Sequence, residues 1–295
     1  MTKSIEDFNE ILQREEPLAA HTWLRLGGPA EYLLTPDSEQ QLLEVLKFCM
    51  AEDLPVKILG GGTNLLVDDA GVRGAVVRVM EPLLSEITVD GTTVKAGGGA
   101  LLSHAVSESV RAQLAGLETL VGIPGTVGGA VLGNAGGRHG EIGELVESVT
   151  VLDREGNVQE RSGDELSFSY RQSSLHDVLV LNATFELTED PSDELTRRMR
   201  QNWIMKRATQ PLADQSAGCI FRNPRGLSAG ALIEQCGLKG MAIGKARISD
   251  RHANFVVTES GATCDEVDQL ITRVQAAVAE KFGVELELEI CRWSS

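Results

Sequence analysis

Glycines crowd two stretches of this chain: "VKILGGGTNLLV", where Gly60, Gly61 and Gly62 follow an apolar run, and "GIPGTVGGAVLGNAGG" at residues 122–137. A residue without Cβ lets backbone approach its neighbours closely and tolerates positive φ. Three in succession suit either a tight turn between strands or a loop whose N–H groups cradle an anion, with Thr63 and Asn64 adding a hydroxyl and an amide. The second cluster is too long for one turn and too glycine-rich for a regular strand, which suggests backbone laid beside an extended ligand. Two such loops point to a dinucleotide. Two familiar nucleotide signatures are missing: no GxGxxG occurs, and "GMAIGKA" (240–246) has too few residues between its glycines and Ala246 where a P-loop needs Ser or Thr.

The 295 residues imply two or three lobes, since domains typically run to about 100–200 residues. A net charge of −16 argues against a general nucleic-acid partner, because phosphate backbones are bound by clustered Lys and Arg. Any anionic ligand must be captured locally. Apolar runs such as "AVVRVM" are far shorter than the ~18 residues that span a bilayer, and "MTKSIEDFNEILQREEP" lacks an export signal's apolar stretch, so a cytoplasmic protein is expected. Cysteines at 49, 219, 236, 264 and 291 form no CxxC pair, and histidines at 21, 104, 139, 176 and 252 show no metal-binding spacing, so neither disulfides nor a metal is expected.

Ser38 and Gln41 read as a capping box for a helix over 37–53, with Leu42, Val45, Leu46 and Cys49 at helical spacing. "VKIL", "NLLV", "GAVVRV" and the hairpin "EITVDGTTVKAG" read as β-structure, the last around an Asp90-Gly91 turn. A helix near 101–114 precedes the second glycine cluster. Strands at 146–152 and 178–187 follow it, separated by the polar turn "DREGN". The acidic "TEDPSDEL" (188–195) reads as a linker that caps a helix through "TRRMRQNWIMKRA", and it marks a domain boundary. Beyond it come a short helix near "AGALIEQCG", strands at "ARIS" and "NFVV", and a helix from a Thr263/Glu266 capping box to Phe282. Val267, Leu270, Ile271, Val274, Val278 and Phe282 line one face of that helix. "ELELEI" reads as the final strand. The order is mixed α+β rather than repeated βαβ.

Three places carry side chains suited to chemistry. In "SAGCIFRNP" (216–224), Cys219 reads as a small buried hydrophobe, a redox thiol or a proton donor. Arg171 in "YRQSS" reads as a surface ion pair or an anion clamp. Glu285, Glu287 and Glu289 share one strand face opposite Leu286, Leu288 and Ile290, which suits a solvated acidic face, and spacing does not choose among them.

In order and spacing, "TWLRLGGPAEYLLTP", "LGGGTNLLV", "GIPGTVGGAVLGNAGG", "FSYRQSSL", "QPLADQSAGCIFRNP", "SAGALIEQCGLKGMAIGKARISDRHANFVV" and "GVELELEI" resemble one flavoprotein family, the UDP-N-acetylenolpyruvoylglucosamine reductases (MurB), from about residue 18 onward. The resemblance implies an α+β architecture. An N-terminal segment (1–16) is followed by an FAD-binding domain of the vanillyl-alcohol-oxidase (PCMH) type in two lobes (17–190), then by a C-terminal α+β substrate domain (191–295). The chain is similar to the shorter, type II branch, with no room for the extra substrate-domain insertion. Gly60, Gly61, Gly62, Thr63, Asn64 and Leu65 would hold the FAD pyrophosphate, while Gly122, Pro124, Gly125, Thr126, Gly129 and Asn134 would run beside the cofactor.

The family reaction has two halves: NADPH reduces FAD, then a hydride passes to C3 of an enolpyruvyl ether on a UDP-amino sugar while C2 takes a proton. By resemblance Arg171 matches the catalytic arginine, Glu289 the catalytic glutamate, and Cys219 the proton donor, where most members carry serine. A free thiol has a pKa of about 8.5, so it is mostly protonated at neutral pH and still has a transferable proton. Tyr170, Arg222 and Asn223 fall where the family meets substrate, and Lys206 and Arg207 where the UDP diphosphate would lie. Implied are FAD and NADPH as cofactors, no metal, a UDP-sugar substrate, and a cytoplasmic monomer with no nucleic-acid or membrane partner. The glycine loops alone also allow an FAD-linked sugar or alcohol oxidase, and Cys219 a non-catalytic flavin redox sensor.

Overall fold

The computed structural model describes residues 4–153, 155–176 and 178–294. Residues 1–3 of the expected N-terminal segment and Arg154 of the "DREGN" turn lie outside the described residues. The chain divides into two compact units, each assembled from separate stretches. Met1–Gln13, Leu33–Gly61 and Gly74–Met205 form the first; Arg14–Tyr32, Gly62–Arg73 and Lys206–Ser295 form the second.

In the first unit, helix α1 (Glu39–Ala51) buries Leu42, Val45, Leu46, Phe48 and Cys49, as the periodicity predicts. Its cap differs in detail from a capping box: Ser38 Oγ accepts from Gln41 N, but the Gln41 side chain turns back to accept from Asp37 N rather than from Ser38. The strand Val56–Leu59 follows and runs parallel to the strand Val72–Arg78, Val56 opposite Ala75 and Leu59 opposite Arg78.

The unit's main sheet has five antiparallel strands in the order Val158–Ser162, Val146–Leu152, Leu179–Glu186, Thr93–Gly97 and Ile87–Asp90. Alternate residues point to opposite faces, so Val149, Val151, Ala183 and Phe185 enter a core shared with helices α2 (Leu102–Arg111) and α3 (Val127–Leu132). The hairpin closes with Asp90 opposite Thr93 and Gly91 at φ +57°.

Sequence reading misses two features here. Val158–Ser162 carries no apolar alternation because it is an edge strand with no buried residue. The second glycine cluster is not irregular throughout, because α3 forms inside it. That helix closes tightly on a strand end: Gly128 N donates to Gly98 O at 2.9 Å, and a Cβ on Gly128 would sit 2.9 Å from the same oxygen. The glycines there serve helix packing as well as loop conformation.

Helix α4 (Asp193–Thr209) carries the chain from Met205, the end of the first unit, to Lys206, where the second resumes. In the second unit, α5 (Ala229–Gln235) and α6 (Cys264–Phe282) pack with a three-stranded antiparallel sheet of Ala242–Ile243, Ala246–Ile248 and Val256–Thr258. Val267, Leu270, Ile271, Val274 and Val278 of α6 are buried in this core, with Phe282 packed against it. The Thr263/Glu266 capping box forms, and Gly283 ends the helix in the left-handed region at φ +66°. "ELELEI" is extended but bridged only at Leu288, opposite Phe221. The regular strand comes later, at Cys291–Trp293, parallel to Leu65–Val67. No helix among the described residues is long and apolar enough to cross a membrane.

Two predictions concern stability. Thr263→Ala removes the α6 cap and should cost about 1 kcal/mol in urea unfolding of the whole chain. Burial pushes the Cys49 thiol up to about 11 and the Cys264 thiol up to about 12. Unfolded thiols ionise near their ordinary value of about 8.5 while these two hold their protons, so their contribution is intact below that pH and fades as pH rises toward 11–12. The urea midpoint should fall across that window, less steeply in a Cys49→Ala/Cys264→Ala variant.

Candidate active site

Two glycine motifs meet inside the first unit. A Cβ on Gly60 would lie 2.8 Å from Thr126 Oγ1, the hydroxyl that caps α3 by accepting from Gly129 N at 3.3 Å. Before it, Gly122 and Gly125 take positive φ, and Gly125 O accepts from Leu102 N at 3.0 Å. The chain then continues into the second unit at Gly62, where φ is +61° and a Cβ would lie 2.1 Å from His21 O. Gly62 O accepts from Trp23 N. Asn64 is exposed and donates from Nδ2 to Glu289 O at 3.1 Å, while Leu65 is buried and pairs with Cys291. Glycine backbone beside a capping hydroxyl fits a phosphate-bearing cofactor, because small residues leave N–H groups accessible to an anion.

Arg171 stands on a tight hairpin. The strands Phe168–Ser169 and Gln172–Ser173 pair with Ser169 opposite Gln172, leaving Tyr170 and Arg171 as the two loop residues. Arg171 takes φ +58°, a left-handed conformation that costs a residue with a Cβ about 1–2 kcal/mol. Its guanidinium donates to Gly136 O at 2.9 Å and to Asn134 O at 3.5 Å, stacks 5.1 Å from the centre of the half-exposed Tyr170 ring, and lies 3.6 Å from Glu141 Oε1. Asn134 is only 1% exposed, and its amide donates to Glu141 Oε2 at 2.7 Å and Ser169 O at 2.8 Å while accepting from Gly143 N at 3.0 Å. The Asn134 side chain is thus engaged by protein groups around the Arg171 hairpin.

The second unit brings Cys219 and Glu289 onto neighbouring strand-like segments. Gly218, at φ +79°, turns the chain into a run in which Ile220 and Phe221 are buried and Cys219 is half-buried. Cys219 bridges Phe255, Phe221 bridges Leu288, Ile220 O accepts from Glu289 N at 2.8 Å, and Arg222 N donates to Glu287 O at 2.9 Å. Burial separates the three glutamates that spacing left equivalent: Glu285 and Glu287 are exposed and Glu289 is half-buried. Asn223 is exposed and its Oδ1 accepts from Ala229 N at 3.0 Å. In the last turn of α4, Lys206 is half-buried and Arg207 exposed, with the Arg207 and Gln210 carbonyls receiving Arg251 NH1.

Around Cys219, the buried atoms Gln215 Oε1, Ser216 Oγ and Arg222 Nε have no hydrogen-bond partner among the described residues. Buried polar atoms are ordinarily paired, so this stretch is suited to meeting the polar groups of a ligand. Sequence reasoning missed two residues that organise these sites. Asn254, 2% exposed, accepts from Phe221 N at 3.0 Å and donates to Phe221 O at 2.7 Å, while its own carbonyl accepts from Ile220 N. Glu141 links Asn134 to Arg171. A buried amide at the start of the apolar "NFVV" strand was the available signal for Asn254; nothing in the spacing singles out Glu141.

Residues 30–162 match the FAD binding domain model, which makes the chain an FAD-binding protein of mixed α+β structure. Residues 210–293 match the C-terminal domain of UDP-N-acetylenolpyruvoylglucosamine reductase. UDP-N-acetylenolpyruvoylglucosamine reductase 2 of Symbiobacterium thermophilum is 42% identical over 96% of this chain and 92% of its own length, and the Moorella thermoacetica reductase 43% identical over 94% and 92%. The crystal structure of the Thermus caldophilus reductase (MurB) superposes with a TM-score of 0.82 at 38% identity, covering 96% of this chain and 99% of that one. The chain belongs to the UDP-N-acetylenolpyruvoylglucosamine reductase family.

Asn254→Ala strands two buried backbone groups of Phe221, each worth about 1–3 kcal/mol when left unpaired. It should destabilise the chain by about 2–6 kcal/mol in denaturant titration, well beyond the effect of Asn64→Ala at an exposed position.

Proposed function

We propose that the chain reduces UDP-N-acetylglucosamine enolpyruvate to UDP-N-acetylmuramate with NADPH, as an FAD-dependent step of peptidoglycan precursor synthesis. The observation that carries this reading is the near end-to-end match to reductases of one named activity at 42–43% identity. In it, residues 17–190 serve as the FAD-binding part and 191–295 as the substrate-binding part, with the loops at 60–65 and 122–134 receiving the cofactor. The enzyme works as a cytoplasmic monomer on a UDP-sugar.

FAD, when bound, takes a hydride from NADPH and supplies one for C3 of the enolpyruvyl group. Protein groups must then orient the substrate, hold its carboxylate as negative charge builds beside it, and deliver a proton to C2. Arg171 is assigned the carboxylate, since its planar fork pairs with two oxygens and binds more strongly as charge grows. Cys219 is assigned the proton: the S–H bond breaks as the C2–H bond forms, and solvent restores the thiol. Glu289, the half-buried member of its trio and tied through backbone to the Cys219 segment, is assigned polarisation of the carboxylate region or proton relay. Tyr170, Arg222 and Asn223 are assigned to substrate, and Lys206 and Arg207 to the diphosphate, a local positive site in a chain of net charge −16.

Anaerobically, the purified yellow protein should be bleached by NADPH and recoloured by the enolpyruvyl sugar nucleotide; failure of recolouring would remove the assignment. Cys219→Ser should keep much of the activity. Cys219→Ala should leave bleaching by NADPH nearly unchanged and slow recolouring, measured by stopped flow, and equal damage to both halves would make the thiol structural.

A further inference from the structure

Arg171 occupies a conformation that glycine or asparagine would adopt at lower cost, and such outliers persist where surrounding structure holds them. The holding structure lies within the same unit. Asn134, itself left-handed at φ +41°, spends its amide on three partners: Glu141 Oε2, the carbonyl of Ser169 at the hairpin base, and the N–H of Gly143. The Asn134 and Gly136 carbonyls receive the guanidinium of Arg171 directly. Glu141 completes the circuit: one carboxylate oxygen is fixed by Asn134 and the other lies 3.6 Å from Arg171 NH1. Both ion-pair partners are mostly shielded from water, with side chains 20% and 26% exposed. Screening is weaker there than at an open surface, so the carboxylate constrains where the cation sits.

We propose that Glu141, held by Asn134, is a positioning residue for Arg171: it fixes the guanidinium in the one orientation in which the substrate carboxylate meets its donor fork. The proposal rests on the role assigned to Arg171 above and extends it to a residue with no place in that reaction scheme. In this role Glu141 acts through Arg171 and not on a reacting atom. It acts by removing the orientational freedom of a long side chain, and misplacement of a catalytic group by about 1 Å can cost about 100-fold in rate.

The test uses the full-length FAD-loaded enzyme in four forms beside wild type: Glu141→Ala, Glu141→Gln, Arg171→Ala, and Arg171→Ala/Glu141→Ala. Glu141→Ala should leave bleaching by NADPH within about twofold and slow recolouring by the enolpyruvyl sugar about 10–100-fold. Glu141→Gln, which keeps an acceptor for Asn134 and loses the ion pair, should fall between it and wild type. In steady state kcat should fall more than KM rises. In the Arg171→Ala background, removing Glu141 should slow recolouring no further, because a residue that acts through another has nothing left to act on. Where Glu141→Ala fails to retain FAD, Glu141→Gln alone and in the Arg171→Ala background makes the same comparison.

Wild-type recolouring in both Glu141 variants, an additive loss in the double variant, or equal slowing of both half-reactions would overturn the proposal. Arg171→Ala with undiminished recolouring would overturn it too, and would place the fault in the reading of Arg171 rather than in its link to Glu141.

Discussion

One buried amide sets the geometry of the second unit. Asn254 satisfies both the N–H and the C=O of Phe221 through its side chain and Ile220 N through its backbone. These bonds replace regular sheet pairing where the chain is too irregular to supply it, and buried backbone groups do not tolerate being left unpaired. Ile220 and Phe221 are both buried although they point to opposite faces of the extended run, and alternation places Cys219 on the face of Phe221. The same run pins Glu289 through Ile220 O, so thiol and carboxylate share a single frame. The register of the two segments is thus set by backbone hydrogen bonds rather than by side chains.

The first unit solves a related problem with charge. A cation on a hairpin tip would ordinarily sweep through many rotamers. Here, two carbonyls, an aromatic face and a carboxylate surround it. Backbone carbonyls suit this task because their positions are set by the fold and they bring no countercharge of their own; Glu141 supplies the countercharge. Asn134 couples the group to the rest of the unit, since its three partners belong to the hairpin base, the carboxylate and the segment after it.

Much of the architecture is legible from local pattern. The α6 face, its capping box and the Asp90-Gly91 hairpin appear where the spacing of apolar and cap residues puts them, because each is specified by contacts within one element. What pattern does not reveal depends on distant partners. Val158–Ser162 looks like a loop because an edge strand open to water needs no apolar face. The stretch after α6 alternates as a strand should, yet it pairs irregularly around Phe221, and the regular pairing falls three residues later on Cys291–Trp293. The glycines of the second cluster read as loop formers, while Gly128 instead lets a helix rest on the backbone of Gly98. Among the candidate site residues, spacing leaves Glu285, Glu287 and Glu289 equivalent and only resemblance singles out Glu289, while their different burial depends on the segment each packs beside. Glu141 carries no pattern of its own, and Asn254 only that of an amide opening an apolar run, because the importance of both lies in what they hold.

The backbone of Arg171 has an implication for anyone engineering this chain. Glycine at that position would relax the hairpin, so a screen that rewards heat resistance without demanding turnover would favour losing the guanidinium. Hardier descendants of such a screen would carry a calmer loop and no cation against the Asn134 and Gly136 carbonyls.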